Sequence, residues 1–193
     1  MLTAKGAATR RRIIEAASEE IRERGIHATT LDDICRRSAT GKSQLFHYFP
    51  EGKEQLLLAV ASYEADRVIE DQQPHLGRLT SWPAWERWRD AVVERYRRQG
   101  VNCPLGVLLT EVGRNTPAAQ AVTGRLLVRW QRDLQSGIET MQDGGHIRRE
   151  LDAERTAAAV VAAVQGGVVI LLSTGSTDHL VAAMDLCMAH LRA

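Results

Sequence analysis

Between Thr29 and Leu56 the chain reads TTLDDICRRSATGKSQLFHYFPEGKEQL, and this stretch limits the possible folds more tightly than any other. It reads as two short helices around a tight turn, then an aromatic hinge, then a longer helix. The first helix is expected over Leu31 to Arg37. Thr30 suits its N-cap, because a hydroxyl there can accept from the free amides of the first turn. Asp32 and Asp33 complement the positive end of the helix dipole. Leu31 and Ile34 stand three apart and share an inward face. Ser38-Ala39-Thr40-Gly41 is a run of small residues that permits a sharp reversal.

A second helix is expected from Lys42 to about His47. Lys42, Ser43, Gln44 and His47 make it polar, hydrogen-bonding or cationic, while Leu45 and Phe46 supply its apolar side. A short helix of this kind, presented by a helix and a turn, has the form of a helix-turn-helix reader in the DNA major groove. Gln pairs with adenine, Lys with guanine, and Ser with either. Phe46, Tyr48 and Phe49 are expected to lock this helix to its support. Pro50 ends it, because proline disfavours the helical conformation in the residue before it.

These residues resemble the DNA-binding domain of the tetracycline-repressor (TetR) family of bacterial regulators. The resemblance rests on the basic N-terminal helix, Thr30 to Ile34 as T-x-x-x-I, Leu45 to Phe49 as L-F-H-Y-F, and Lys53 to Leu56 as K-E-x-L. It covers about the first quarter to third of the chain. Ser38-Ala39-Thr40 departs from the Ala-Gly-Val turn usual in that family, and Gly41 stands where a capping serine is common. The resemblance implies a three-helix reading module followed by a larger C-terminal bundle, and the helical pattern along the chain gives an all-α protein of about nine helices. It divides the chain into a DNA-binding domain over 1–53, extending to about 66 in the family sense, and a ligand-binding and dimerisation domain over 54–193.

Composition agrees with this division. The length of 193 residues suffices for a sizeable core beside a small module. Three widely spaced cysteines give no disulfide framework and no paired zinc ligands, which suits a reducing cytoplasm. Residues 1–50 hold nine Lys and Arg against six Asp and Glu, and the rest hold sixteen against eighteen. The basic surplus therefore lies on the suspected reading module, where phosphate attraction needs it. The N-terminus lacks the apolar region of a secretory signal. The apolar run Ala157 to Leu172 is interrupted by Gln165 and is read as a buried helix, not a membrane span.

Residues 1–8 are expected to be disordered, with a helix from Thr9 to Arg24 closed by Gly25. Ile13, Ile14, Ala17 and Ile21 form its apolar face. Arg10, Arg11 and Arg12 crowd its first turn, either as phosphate contacts or as an ordinary solvated cluster. A fourth helix is expected from Glu51 or Lys53 to Asp71, and a loop follows to Thr80. Ser81 is the expected cap of a helix over Trp82 to Gln99. Further helices are expected over 104–114, over 117–143, from Asp152 to about Ser173, and from Thr177 to Leu191. The pattern offers no strand.

The last two helices are apolar and rich in small residues. The resemblance implies that they pair with their copies across a two-fold axis; otherwise they fill this chain's own core. Trp85, Trp88 and Trp130 either line a small-molecule site between helices or pack as core residues. Cys103, in Asn102-Cys103-Pro104-Leu105-Gly106, sits at an expected helix start, where amides lower a thiol's pKa. It resembles the Cys-x-x-Gly step of a TetR subgroup at the start of the sixth helix, reactive in some branches and structural in others.

The chain carries no Gly-x-Ser-x-Gly elbow, no His-Glu-x-x-His and no Glu-x-x-His repeat, so an enzyme is not expected. Neither a cofactor nor a bound metal is expected. The reading is a cytoplasmic, dimeric, ligand-responsive repressor with a palindromic DNA operator and a small-molecule inducer as partners. Tyr48, Lys53 and Thr30 are its expected phosphate contacts. Lys42, Ser43 and Gln44, with Thr40 and His47, are expected at base edges. A thiol-sensing repressor acting through Cys103 is one alternative, and a helical adaptor without DNA binding is another.

Overall fold

The computed structural model describes residues 3–100 and 117–193, and these residues form eight α-helices and one 3-10 turn, with no strand among them. The helix expected over 104–114 lies outside the described residues. The described chain divides into two compact units within its fourth helix, one reaching Asp66 and the other starting at Arg67. Residues 117–123 belong with the first unit and Gly124–Ala193 with the second.

In the first unit, α1 spans Ala4–Arg24, α2 Leu31–Arg37 and α3 Lys42–Tyr48, and α4 starts at Lys53 and ends at Glu70. The start of α1 corrects the sequence expectation. Thr3 is its N-cap, with its hydroxyl accepting from the Gly6 amide at 3.1 Å. Ala4, Ala7 and Ala8 then extend the helix toward the N-terminus, because alanine has the highest intrinsic helix propensity. Gly25 closes it at φ +78°, its N–H donating to the Ile21 carbonyl. Ile13, Ala17, Ile21, Ile34, Leu45, Phe49, Leu56 and Val60 form the buried interior of this unit. Glu64 of α4 is buried too, and a buried carboxylate requires partners. Ser18 Oγ donates to it, and Arg22 Nη2 lies 3.4 Å from the same oxygen.

The second unit comprises the end of α4, the 3-10 turn Leu76–Arg78, α5 over Trp82–Gln99, and α6, which belongs to Pro117–Asp143 and enters this unit at Gly124. It continues with α7 over Ala153–Thr174 and α8 over Asp178–Arg192. Ser81 precedes α5 as expected, but its side chain makes no capping bond. Asp152 does cap α7, accepting from the Arg155 amide at 3.0 Å. Trp85, Trp88, Trp130, Leu134 and Ile138 are fully buried. Buried Gln72 links elements here: Trp88 Nε1 donates to its Oε1 at 2.7 Å, and its own amide donates to the Val68 carbonyl at 2.7 Å.

Helices α7 and α8 form a hairpin whose turn uses Gly175 in the left-handed conformation at φ +75°. They approach very closely at Gly167, where a Cβ would fall 2.6 Å from the Leu180 Cα. By length and composition α7 could cross a membrane, with a mean hydropathy of 2.0 over its most apolar window. It is not covered on every side by its own chain. Val160, Val164 and Leu171 are buried, but Val169 on α7 is 51% exposed and Leu186 on α8 is 72% exposed.

Gly167→Ala should destabilise the protein by about 1–3 kcal/mol in urea unfolding, because the backbone opposite cannot yield as a side chain would. Gly166→Ala, one residue along and facing open space, should be neutral or stabilising by less than about 1 kcal/mol. Equal effects at the two positions would contradict the close crossing.

Candidate nucleic-acid interface

The path into α2 is fixed by a reciprocal cap. The Asp33 amide donates to Thr30 Oγ1 at 3.2 Å, and the Thr30 amide donates to Asp33 Oδ2 at 3.2 Å. The Thr30 hydroxyl also donates to that carboxylate at 2.6 Å. This is a capping box with Asp in the usual Glu position. The Thr30 hydroxyl, chiefly, and then its amide hold the Asp33 carboxyl down at about 2, from an ordinary value of 3.8. Lys53 joins the same corner from the start of α4. Its ammonium donates to the Thr29 carbonyl at 2.8 Å and to the Ile26 carbonyl at 3.2 Å, tying the α1–α2 connection to α4.

Arg37 holds α2 against α1. It donates to Glu20 at 2.7 Å, to Glu19 at 3.2 Å and to Glu23 at 3.0 Å, and these bonds raise its pKa further. Arg12 makes a second link, donating from Nε to the Ser38 carbonyl at 2.8 Å. Arg11 pairs with Glu15 at 2.8 Å, and Arg10 stands 5.1 Å above the Phe49 ring. The arginine cluster of the sequence is therefore used within the module, with Arg12 positioning the turn.

The turn itself accounts for the unusual Ser-Ala-Thr. Ser38 is fully buried, its hydroxyl 2.7 Å from both the Ile34 carbonyl and the Thr40 hydroxyl. Ala39 adopts φ +50°, the one non-glycine residue with positive φ among those described. A side chain in that conformation costs about 1–2 kcal/mol. Gly41 precedes α3 without a side-chain cap.

Helix α3 inserts Leu45 and is followed by Phe49; both are buried. Lys42, Ser43, Gln44 and His47 point to solvent, and Thr40 and Tyr48 are half-buried. Tyr48 meets His47 edge-on at 5.0 Å between ring centroids. Lys42 Nζ lies 2.8 Å from Asp32 Oδ1, an exposed bridge from α2 to α3 that raises the lysine pKa. Phe46 corrects the sequence expectation: it does not anchor α3 but is 45% exposed. The inward side of so short a helix is filled by Leu45 and by Phe49 four residues on, and Phe46 lies about 100° round from Leu45. Neither the pairing of Asp32 with Lys42 nor the exposure of Phe46 is legible in the sequence.

Of the residues expected to touch a ligand, Trp85, Trp88 and Trp130 are buried, and Cys103 lies outside the described residues. Among the described residues the indole N–H groups of Trp85 and Trp130 find no hydrogen-bond partner. Cys35 is buried, and burial pushes the Cys187 thiol up, so a thiolate is disfavoured there. Among the described residues no cluster of His, Cys, Asp or Glu could hold a metal ion.

Two outcomes follow from this geometry. An NMR titration of the Asp33 carboxyl should give a midpoint near 2, and Thr30→Val should return it toward 3.8. Because the folded value is depressed, the cap's contribution is present above pH 3.8 and is lost as pH falls toward 2. Ala39→Gly should leave stability unchanged or raise it by up to about 1 kcal/mol, whereas Ala→Gly within a helix costs about that much. A thermal melt of both variants would expose an unstrained Ala39 by equal losses.

Comparison with known proteins bears on the whole chain. Residues 13–60 match the family described as "Bacterial regulatory proteins, tetR family". Residues 82–187 match the one described as "Tetracyclin repressor-like, C-terminal domain". An uncharacterised HTH-type transcriptional regulator of Mycobacterium tuberculosis is 31% identical over 113 residues, 54% of this chain and 53% of that protein. The matched part thus spans about half the length of that relative. The HTH-type regulator SrpR of Pseudomonas putida is 35% identical over 81 residues, 42% of this chain and 38% of SrpR. Among solved structures, a TetR transcription regulator from Haloarcula marismortui superposes with a TM-score of 0.79 at 17% identity, covering 96% of this chain and 97% of that one. SmeT, solved as a complex with triclosan, superposes at 0.68 with 18% identity, covering 95% of this chain and 91% of SmeT. The family matches take in both the reading module and most of the chain beyond α4, and the fold aligns almost end to end: the chain belongs to the TetR family of bacterial transcriptional regulators.

Proposed function

We propose that the protein is a ligand-responsive repressor that binds a palindromic operator as a homodimer in the cytoplasm. The observation that carries this reading is the outward side of α3, where Lys42, Ser43, Gln44 and His47 stand exposed beside Thr40. These side chains would approach base edges, Gln44 pairing with adenine and Lys42 with guanine. Lys42 would exchange Asp32 for its base, so that Asp32 holds it extended until DNA arrives. Thr30, Tyr48 and Lys53 would contact phosphate. The Lys53 ammonium has three donors, and two of them already hold carbonyls, so one remains for DNA.

Two copies would place their α3 helices about 34–36 Å apart, one turn of duplex. The exposed Val169 and Leu186 support pairing through the outer sides of α7 and α8. A small molecule would bind the second unit near Trp85, Trp88 or Trp130; the unpartnered indole N–H groups of Trp85 and Trp130 suit a ligand with hydrogen-bond acceptors. The triclosan complex of SmeT lends support by likeness of fold. Helix α4 is continuous through Asp66 and Arg67 and so belongs to both units, which makes it the natural carrier of a signal. The ligand must favour one state over the other, or the equilibrium does not shift. The proposal gives the chain no catalytic role.

A gel-shift titration on duplex from the region upstream of its own gene tests the reading, with sedimentation to establish the dimer. Gln44→Ala should lose about 1–3 kcal/mol at the matched base only, while Lys53→Ala should weaken binding to every sequence and flatten the salt slope by about one. A monomer that forms no specific complex would point instead to an adaptor. Equal losses on all sequences for both variants would reject the division between base and phosphate contacts.

A further inference from the structure

Four large apolar side chains are exposed among the described residues: Phe46, Val128, Val169 and Leu186. Only Phe46 belongs to the helix that carries the proposed base contacts. It lies four residues after Lys42 and three after Ser43, and so shares their side of α3. One edge of its ring lies close to Gly52. A Cβ on that residue would lie 3.6 Å from the ring's Cε1, and Gly52 itself adopts φ +75°.

A phenyl ring has no donor or acceptor, so it cannot bond to phosphate or read the polar groups of a base. Along the major-groove edges of the four base pairs, the apolar group on offer is the thymine C5-methyl. We propose that Phe46 is a specificity-determining residue that packs on a thymine methyl in each operator half-site. The proposal rests on the operator-binding reading above and deepens it. It adds apolar recognition to a surface otherwise built of polar side chains. At 45% exposure Phe46 still has apolar surface for such a contact to remove from water. Contact with a methyl removes that group and the ring's front from water together.

The experiment uses the full-length protein. A preferred duplex is first selected from a random library, and each thymine in it is then replaced singly by deoxyuridine, which deletes only the methyl. Binding is measured for the wild type, Phe46→Ala and Phe46→Leu. At one thymine per half-site, deoxyuridine should weaken the wild type about 4-fold, the value of one buried methyl-sized group. Phe46→Ala should bind the thymine duplex several-fold more weakly than the wild type and should not distinguish thymine from deoxyuridine at that position. Phe46→Leu, which keeps an apolar side chain with little risk to folding, should retain part of the discrimination. The assignment to Phe46 is overturned if no thymine discriminates, or if the discrimination survives in Phe46→Ala. It is equally overturned if Phe46→Leu, folded by its melting curve, discriminates as fully as the wild type after Phe46→Ala has failed to fold. Should the wild type select no sequence at all, the operator-binding reading falls, and this inference with it; a selected operator without a discriminating thymine removes only the inference.

Discussion

Seven residues are too few for a helix to stand alone in water, since nucleation is unfavourable and isolated helices of that length are marginal. Helix α3 spans Lys42–Tyr48, and what keeps it helical is the burial of Leu45 within it and Phe49 just beyond it. Those two side chains stand four apart, one turn, and enter the same interior as Ile13, Ile34, Leu56 and Val60. Because they occupy the inward direction, the geometry of the helix directs Lys42, Ser43, Phe46 and His47 outward. The proposed recognition surface is thus set by the core behind it. Apolar substitutions at Leu45 or Phe49 and polar ones at Gln44 act on two sides of one device.

Charge arrangement completes it. The first fifty residues carry a positive surplus, yet much of it is engaged inside the module. Arg37 is shared among Glu19, Glu20 and Glu23, Asp33 is held by Thr30, Arg36 and Arg24, and Lys42 rests on Asp32. Pairs of this kind, mostly exposed, contribute little stability one by one. Their effect here is directional, because they fix α2 on α1 and hold Lys42 across the turn. The buried Glu64, with Ser18 and Arg22, belongs to a different class. It joins α1 to α4 through a charge that cannot be left unpaired, so α4 and α1 must move together or expose it.

Periodicity and capping chemistry revealed most of the fold. The starts of α2, α5 and α7 follow from Thr30, Ser81 and Asp152 in the sequence, and the ends of α5 and α7 from Gly100 and Gly175. The start of α1 was hidden because Thr3 is a weak signal when small residues follow, and Ala-rich segments lack a hydrophobic stripe. The candidate site was legible as a pattern but not as a set of contacts. The sequence names Lys42 and Gln44 as polar positions on a short helix. It does not disclose that Asp32 reaches Lys42, that Lys53 spends two donors on Ile26 and Thr29, or that Phe46 faces water. Each of these depends on where a second element comes to lie.

The amino-acid sequence by itself determined that this protein is helical, that a short polar helix follows a small-residue turn, and that the net basic surplus lies in about the first quarter of the chain. These are local matters, governed by spacing, propensity and charge along a single segment. Tertiary structure alone decided that Ala39 must take a conformation suited to glycine, that Gly167 lets α7 approach the backbone of α8, and which side of α3 remains exposed. The physical reason is that such features are set by distances between segments remote in the chain. A residue's neighbours across a helix crossing leave no mark in the residues beside it.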